Sequence, residues 1–173
     1  MYLEGREWSR YTADFKESAF RLELHQVYTM PDEQEEFERF KAGEKPPKDL
    51  HYPWLDKVAN AARTGRTIQR VHVVEQPLSD YLKYEFEWGY AFNVRSGEDI
   101  RILDLTGKPN PGLPDHDFWM FDEESVVRML YRPDGTQIGR ELIGKPDIEM
   151  YRRYRDVALH GAVPFLEYWQ GSA

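Results

Sequence analysis

Two strand-like segments separated by one helix constrain the fold of this chain more than any other feature. Residues 70–74 and 100–103 are rich in aliphatic side chains, and residues 79–92 between them repeat apolar side chains at a four-residue spacing. A strand, a helix and a second strand in this order predict a right-handed crossover that makes the two strands parallel neighbours. Functional side chains in such a unit normally lie at the strand ends.

The rest of the sequence predicts further strands and helices around this unit. Further strands are predicted at residues 20–25, 117–121, 126–131 and 136–143, and further helices at 33–40, 53–62 and 145–169. Asp134 and Gly135 favour a hairpin between the last two strands, and Pro164 should kink or interrupt the closing helix. We therefore expect an α/β fold in one domain, residues 1–173. Its mixed β-sheet would be packed by helices, with a C-terminal antiparallel meander and a long closing helix.

Composition excludes several classes of function. The 173 residues contain no cysteine, which excludes disulfides, thiolate metal centres and a cysteine nucleophile. The net charge of −8 disfavours non-specific contact with nucleic acid. The chain has no apolar run of the roughly 18–20 residues that span a bilayer, and its start lacks the apolar core of a signal peptide. We expect a soluble cytoplasmic protein that contacts neither membrane nor DNA directly.

No complete catalytic or cofactor signature is present. The sequence lacks a nucleophile elbow, a phosphate-binding Walker loop, a dinucleotide-binding glycine motif and the H-E-x-x-H metal motif. We therefore predict no cofactor and assign no catalytic residue.

The first candidate group is Asp115, His116 and Asp117. Two carboxylates beside a histidine can bind a divalent metal or tune a general base. Adjacent residues on an extended chain point to opposite faces, however, so His116 would point away from both carboxylates. We therefore favour a turn whose side chains cap backbone groups and predict no metal site.

The second candidate pair is Arg70 and His72. They alternate with Val71 and Val73, so both lie on one face of a strand that should be central in the sheet. Two interpretations stay open. Either both residues take part in binding, or this face is partly solvated or pairs Arg70 with a buried acid.

The third candidate group is a polar and aromatic helix face. Tyr81, Glu85 and Trp88 are spaced at i, i+4 and i+7, and Tyr84 lies beside them. This face could be an exposed surface for protein contact or ligand stacking. Equally, the helix could be buried on both faces in a layered fold.

The fourth candidate group is Glu98, Asp99 and Arg101 at the start of a strand. Asp99 and Arg101 share a side, where they could form an ion pair across the sheet with Arg70. Structural pairing is the favoured interpretation, since ion pairs are weak evidence for function.

These groups together suggest a small-molecule pocket as one hypothesis. Its members would be Arg70, His72, Glu85, Glu98, Asp99, Arg101 and His116. A separate hypothesis, direct DNA binding, would use Arg152, Arg153 and Arg155, although a solvated helix face explains these three arginines better.

Several phrases resemble a known family. They are residues 20–23, 70–74, 77–81, 97–101 and 114–122. Together they resemble a family of uncharacterised actinobacterial proteins known only as a domain of unknown function. Members of that family are often encoded beside helix-turn-helix regulators of the XRE type, so the resemblance implies a regulatory partner. It implies no activity.

A more distant similarity is to half of a phospholipase-D-like fold, which carries H-x-K on a strand and an acid a few positions later. His116 and Asp122 would match the histidine and the acid, but Phe118 replaces the lysine. The resemblance therefore implies that phosphodiesterase chemistry is lost. The site could survive as an anion or nucleotide pocket with charge from Arg70, Arg101 or Arg128.

Our leading prediction from the sequence is a non-enzymatic regulatory or interaction protein that acts with a DNA-binding helix-turn-helix partner. The alternative is the small-molecule, anion or nucleotide pocket described above, with or without enzymatic activity.

Overall fold

A mixed sheet runs through the centre of the computed structural model, which describes residues 1–170. Its strands are β1 (Ser18–Glu23), β2 (Thr67–Val74), β3 (Asp99–Asp104), β4 (Asp117–Phe121), β5 (Ser125–Tyr131), β6 (Gln137–Leu142) and β7 (Val163–Pro164). Their order across the sheet is β6-β5-β4-β1-β2-β3-β7. The pairs β1–β2 and β2–β3 are parallel, and the other neighbours are antiparallel. The predicted parallel crossover and mixed α/β sheet are therefore confirmed.

Helices cover both faces of this sheet. They are α1 (Gly5–Asp14), α2 (Gln34–Lys41), α3 (Pro53–Arg63), α4 (Asp80–Glu85), α5 (Ala91–Ser96), α6 (Ile148–His160) and α7 (Phe165–Tyr168). A 3₁₀ turn, Pro31–Glu33, precedes α2, and a π-helical turn, Phe86–Tyr90, joins α4 to α5. The closing helix α6 is followed at Pro164 by the short β7 and α7. Helix α1 is an element that the sequence reasoning missed.

Alternation along the strands divides the apolar core into two layers. Phe118 and Met120 of β4 pack with Leu22 and Val71 on the face that α6 covers. The next residue, Trp119, packs on the opposite face with helices α1 and α3. Because successive side chains of a strand point to opposite faces, Asp117 faces the same layer as Trp119. The polar residues of the central strands are thus enclosed by helices rather than exposed to water.

Gly97 fixes the entry into β3. It ends α5 with φ +118, a left-handed conformation that favours glycine. A Cβ atom at this position would lie 2.9 Å from the Cβ of Ala62. The close approach of α3 places the next residue, Glu98, in the interior. None of the helices in residues 1–170 is long and apolar enough to cross a membrane.

Candidate functional site

Charged side chains are buried together on the sheet face beneath α3, α4 and α5. We call this group the ionic network; its members are Arg21, Glu23, Arg70, Glu98 and Asp117. Four of them are at most 4% exposed, and the Arg70 side chain is 12% exposed. Buried charges persist only when they are paired, and here each one is.

Arg70 connects two strands of the sheet. Its Nη1 lies 2.6 Å from Glu23 Oε1, and its Nε lies 2.9 Å from Glu98 Oε2. Glu98 Oε1 also accepts a 2.6 Å hydrogen bond from the indole of Trp54. Burial alone would lower the pKa of Arg70, but the carboxylates of Glu98 and Glu23 raise it by more. The guanidinium therefore stays charged. One cation thereby pairs with both carboxylates.

Asp117 is the acceptor at the other end of the network. Its Oδ2 lies 3.3 Å from Arg21 Nη2 and accepts a 2.5 Å hydrogen bond from the Tyr28 hydroxyl. Its Oδ1 accepts the backbone N–H of Leu24 at 2.9 Å. Burial raises the pKa of Asp117, whereas Arg21 and Tyr28 oppose the shift. Asp117 therefore joins β4 to the end of β1.

His72 lies fully buried beside the network. Its Nε2 is 2.7 Å from the His25 carbonyl, which can only accept, so Nε2 carries a proton. Its Nδ1 is 2.7 Å from the Tyr90 hydroxyl, and that hydroxyl is 2.9 Å from Glu23 Oε1. Burial lowers the pKa of His72 and favours the neutral ring. Tyr90 thus holds one proton between two acceptors.

Glu23, His72 and Glu85 place potential metal-ligand atoms within 4.8 Å of one another. Both ring nitrogens of His72 are already hydrogen-bonded, however, and Glu23 Oε1 is bound to Arg70. These contacts describe a hydrogen-bonded network better than a metal site.

A cleft of about 470 Å³ opens above the network. Its lining combines acidic and aromatic side chains from the 3₁₀ turn, α2, the start of α3 and the helical segment α4 to α5. The lining residues are Asp32, Glu33, Glu35, Glu36, Tyr52, Trp54, Arg70, Tyr84, Glu85, Trp88, Gly89, Tyr90 and Asn93. Five of these side chains are acidic and one is basic. We call this feature the cleft.

Two buried polar atoms of residues that line the cleft have no hydrogen-bond partner in the described part of the chain. They are Glu85 Oε2 and Trp88 Nε1. Burial raises the pKa of Glu85 well above its usual value, and Glu23 and Glu33 raise it further. Burial likewise raises the pKa of Glu33 to about 7, although a hydrogen bond from Tyr81 acts to lower it. The surroundings of these two carboxyl groups therefore favour their protonated, neutral form.

The π-helical turn presents three residues to the cleft: Trp88, Gly89 and Tyr90. Such turns are rare in helices and are frequent at functional sites. The hydroxyl of Tyr52 donates to the carbonyl of Gly89 at 3.0 Å and lies 2.5 Å from Asn93 Oδ1. This bond attaches the start of α3 to the turn and closes one wall.

The structure brings four of the seven predicted pocket residues together: Arg70, His72, Glu85 and Glu98. Trp88 lines the cleft, while Tyr81 lies behind it and donates to Glu33 at 2.9 Å. The interpretation of an exposed aromatic surface is wrong, since Tyr81, Tyr84 and Trp88 are at most 4% exposed. Helix α2 covers that face, with the ring of Phe37 stacked 5.3 Å from that of Tyr84.

Asp99 and Arg101 lie outside the cleft. They pair with each other at 3.2 Å in half-exposed positions at the start of β3. The predicted pairing with Arg70 is wrong, because Arg70 turns to Glu23 and Glu98 instead. Strand alternation explains the separation, since Arg101 lies next to Ile100 and Ile102, which face the helices of the cleft.

His116 also lies away from the cleft. Its Nε2 is 2.9 Å from the Tyr151 hydroxyl of α6, and its Nδ1 is 3.1 Å from the exposed Asp115. The three residues 115–117 therefore separate: Asp115 to solvent, His116 to α6 and Asp117 to the ionic network. The prediction that His116 points away from both carboxylates is wrong, because its ring contacts Asp115. Asp117 does bind a backbone N–H, that of Leu24, but from within β4.

The positions that match the phospholipase D motif do not form a site. Phe118 is fully buried, and its ring centre lies 4.8 Å from that of Tyr151. Asp122 accepts backbone N–H groups of Lys16, Glu17 and Ser18 at 2.7–3.1 Å, so it caps a loop.

The arginines that the sequence suggested for other roles have local partners. Arg128 lies 3.8 Å from Glu141. On α6, Arg152 and Arg155 lie 3.1 and 2.5 Å from the two carboxylate oxygens of Glu123. Arg153 is exposed.

Sequence reasoning missed several residues that build the network and the cleft. They are Arg21, Glu23, Tyr28, Glu33, Tyr52, Trp54 and Tyr90. One signal was available. Arg21 and Glu23 alternate with apolar residues in a strand, and they are buried because that strand is central.

This architecture is a mixed α/β fold with an internal ionic network. The chain is similar to the crystal structure of Nuc, a phospholipase D family member from Salmonella typhimurium. The TM-score is 0.50 and the identity 10%, over 89% of this chain and 85% of that one. At this identity the similarity concerns the fold alone. The chain belongs to the family described as Domain of unknown function (DUF6879), whose model matches residues 6–170. No curated protein sequence matches it.

Proposed function

We propose that this protein binds a small molecule in the cleft and does not perform phospholipase D chemistry. The observation that carries the proposal is the pair of buried, unpartnered atoms, Glu85 Oε2 and Trp88 Nε1, in a cleft of about 470 Å³. Ligand pockets commonly have this size. Because buried polar atoms normally have a hydrogen-bond partner, a ligand in the cleft would supply the partner that residues 1–170 do not.

The residues that match the phospholipase D motif support the second part of the proposal, that the protein does not perform phospholipase D chemistry. A phosphoryl-transfer site needs positive charge beside its nucleophile. Phe118 provides none, and the His116 Nε2 already contacts Tyr151. The cleft lies on the other face of the sheet and offers Arg70, which is bound to two carboxylates.

Substitutions at Gly89 test whether a ligand binds in the cleft. A Cβ atom at this position would meet only Glu85 Cγ, at 3.8 Å, so Gly89→Ala fits, whereas Gly89→Leu would fill part of the cleft. The indole N–H signals of ¹⁵N-labelled protein report on Trp54 and Trp88 directly. A panel of amines, carboxylates and nucleoside monophosphates should contain compounds that shift these signals saturably in the wild type and Gly89→Ala, but not in Gly89→Leu. Equal binding by Gly89→Leu, or no binding by any compound, would contradict the proposal.

The predicted regulatory role with a helix-turn-helix partner in an actinobacterial cytoplasm remains a prediction that rests on the family resemblance. Because Tyr81 and Trp88 are buried, an exposed aromatic surface no longer supports this prediction. Recovery of such a regulator in a pull-down from native cells would favour it, and a partner of another class would count against it.

A further inference from the structure

We infer that the ligand of the cleft is a small protonated amine, which places its N–H groups on Glu85 and its aliphatic part against the aromatic walls. The inference rests on the proposed function and names the chemical class of its ligand. Charge, hydrogen bonding and aromatic lining each support it.

The charge of the lining favours a cation. Five acidic side chains and one arginine line the cleft. The arginine, Arg70, is paired with Glu23 at 2.6 Å and with Glu98 at 2.9 Å. Its positive charge is therefore already neutralised, and an anionic ligand would meet the carboxylates of Asp32, Glu35 and Glu36. Surfaces of one sign concentrate ligands of the opposite sign.

The hydrogen-bond partners of the lining residues favour a ligand that donates a hydrogen bond. Glu85 Oε2 lacks a donor among the described residues. The nearest imidazole nitrogen, His72 Nδ1, is 4.0 Å away and contacts the Tyr90 hydroxyl instead. An ammonium N–H would favour the carboxylate form of Glu85 and give it a charge-assisted hydrogen bond, which is among the stronger kinds in proteins.

The rim of the cleft also presents hydrogen-bond acceptors. Tyr84 donates its hydroxyl proton to Glu36 at 3.0 Å, and Tyr81 donates to Glu33 at 2.9 Å. These hydroxyls are therefore occupied by protein carboxylates. The carboxylate oxygens beside them have further lone pairs that an amine can use.

The aromatic walls suit a cation with an aliphatic part. Cations bind the faces of tryptophan and tyrosine rings within about 6 Å of the ring centre. The fold already uses two rings in this way: the guanidinium of Arg39 lies 5.3 Å from the Trp88 ring, and that of Arg70 lies 5.4 Å from the Tyr90 ring. The rings left for a ligand are those of Tyr52, Trp54 and Tyr84, which also line the cleft. Trp88 Nε1–H remains for an oxygen of the ligand.

A matched set of four-carbon compounds tests the inference. The probes are n-butylamine, n-butanol and butyrate, with tetramethylammonium as a cation that has no N–H. The readout is the Trp54 and Trp88 indole signals at increasing millimolar probe concentration. We expect butylamine to bind saturably and the other three probes to bind more weakly.

Glu85→Gln keeps the shape of the side chain and removes its charge. This variant should weaken butylamine binding about tenfold or more, as expected for a hydrogen bond to a charged group. Glu149→Gln is the matched control, since Glu149 is an exposed acid on α6. It should leave the affinity unchanged.

The possible outcomes separate the inference from the proposed function. Tighter binding of butyrate or of a nucleoside monophosphate would overturn the amine and leave the cleft as a ligand site. Unchanged butylamine affinity in Glu85→Gln would also overturn it. Saturable binding of Mn²⁺ that requires His72 and exceeds that of butylamine would assign a metal site instead. No response to any compound of the panel would reject both proposals.

Discussion

Arg70 and Glu98 are joined at 2.9 Å between guanidinium Nε and carboxylate Oε2, which connects the middle of β2 to the residue before β3. Gly97, in its left-handed conformation, places Glu98 where this bond can form. The same arginine holds Glu23 of β1 at 2.6 Å. One side chain thus secures all three parallel strands beneath the cleft.

Arg70→Met should be strongly destabilising. The change leaves the carboxylates of Glu23 and Glu98 buried without their cation, and breaking a buried pair in this way costs about 3–5 kcal/mol. Urea denaturation followed by far-ultraviolet circular dichroism measures the loss. Arg101→Met is the control, because Arg101 and Asp99 form a half-exposed pair outside the cleft, and such pairs contribute little to stability. A loss from Arg70→Met as small as that of the control would show that the network does not stabilise the fold.

Phe118→Lys should not restore phosphodiesterase activity. Although the change completes the H-x-K spacing, the lysine would be buried against Tyr151 without an acidic partner, since Phe118 is fully buried. We expect destabilisation of about 3 kcal/mol or more and no hydrolysis of bis(p-nitrophenyl) phosphate. Phe118→Leu separates the loss of ring packing from the burial of charge. Hydrolysis by a folded Phe118→Lys protein would refute this account of the α6 face.

Glu33 should make the fold less stable as pH rises towards neutrality. The pKa of Glu33 is about 7 in the folded protein, against 4.5 for an unperturbed glutamate, so the folded state binds more protons between these values. The free energy of unfolding therefore falls across this window, by at most about 1.4 kcal/mol per pH unit from this group, and the loss is complete above pH 7. Glu33→Gln, whose amide oxygen can still accept from Tyr81, should flatten the dependence.

Chemical denaturation from pH 4.5 to 8 measures this difference between the wild type and Glu33→Gln. Glu35→Gln serves as the control, because Glu35 is an exposed acid at the rim of the cleft. Parallel curves for the wild type and Glu33→Gln would mean that Glu33 is ionised as easily in the folded protein as in the unfolded chain.

Amine binding should release protons from Glu85. Burial and the neighbouring Glu23 and Glu33 raise the pKa of Glu85 well above its usual value, while Arg70 opposes them, so the free protein retains this proton to higher pH. An ammonium ligand favours the carboxylate and expels the proton. The apparent binding enthalpy of butylamine should then depend on the ionisation enthalpy of the buffer. Equal enthalpies in phosphate and Tris would disprove the coupling, and Glu85→Gln should show equal enthalpies.

The sequence predicts the sheet well because its strands have clear alternation. The observed bounds of β4 equal those predicted, the predicted residues 70–74 lie within β2, and Arg70 and His72 do share a face. Helix α1 was missed because its apolar contacts, Trp8 and Tyr11, lie among polar residues and gain their burial from the distant β4. Local periodicity carries no information about that contact.

The cleft was harder to predict than the sheet, because it joins segments that are distant in the chain. Arg70 and Glu98 were among the candidates, but Trp54, which bonds Glu98, arrives from α3. Arg101 shows the opposite error. Its charge resembles that of Arg70, yet strand alternation places it outside the cleft, beside Asp99. The register of β2 against β3, in which Arg70 lies beside Ile100, distinguishes these two arginines, and the sequence does not reveal that register.

The shape of the cleft depends on the number of residues in the π-helical turn more than on which side chains the turn carries. The turn holds Glu85 and Tyr90 on a common wall although they are five positions apart. Removing one residue from Phe86–Tyr90 would convert the turn towards an ordinary helix and rotate α4 against α5 by about 100°. A single-codon deletion there would therefore separate the acid from the hydroxyl that faces His72, while replacements that preserve spacing would keep the wall intact.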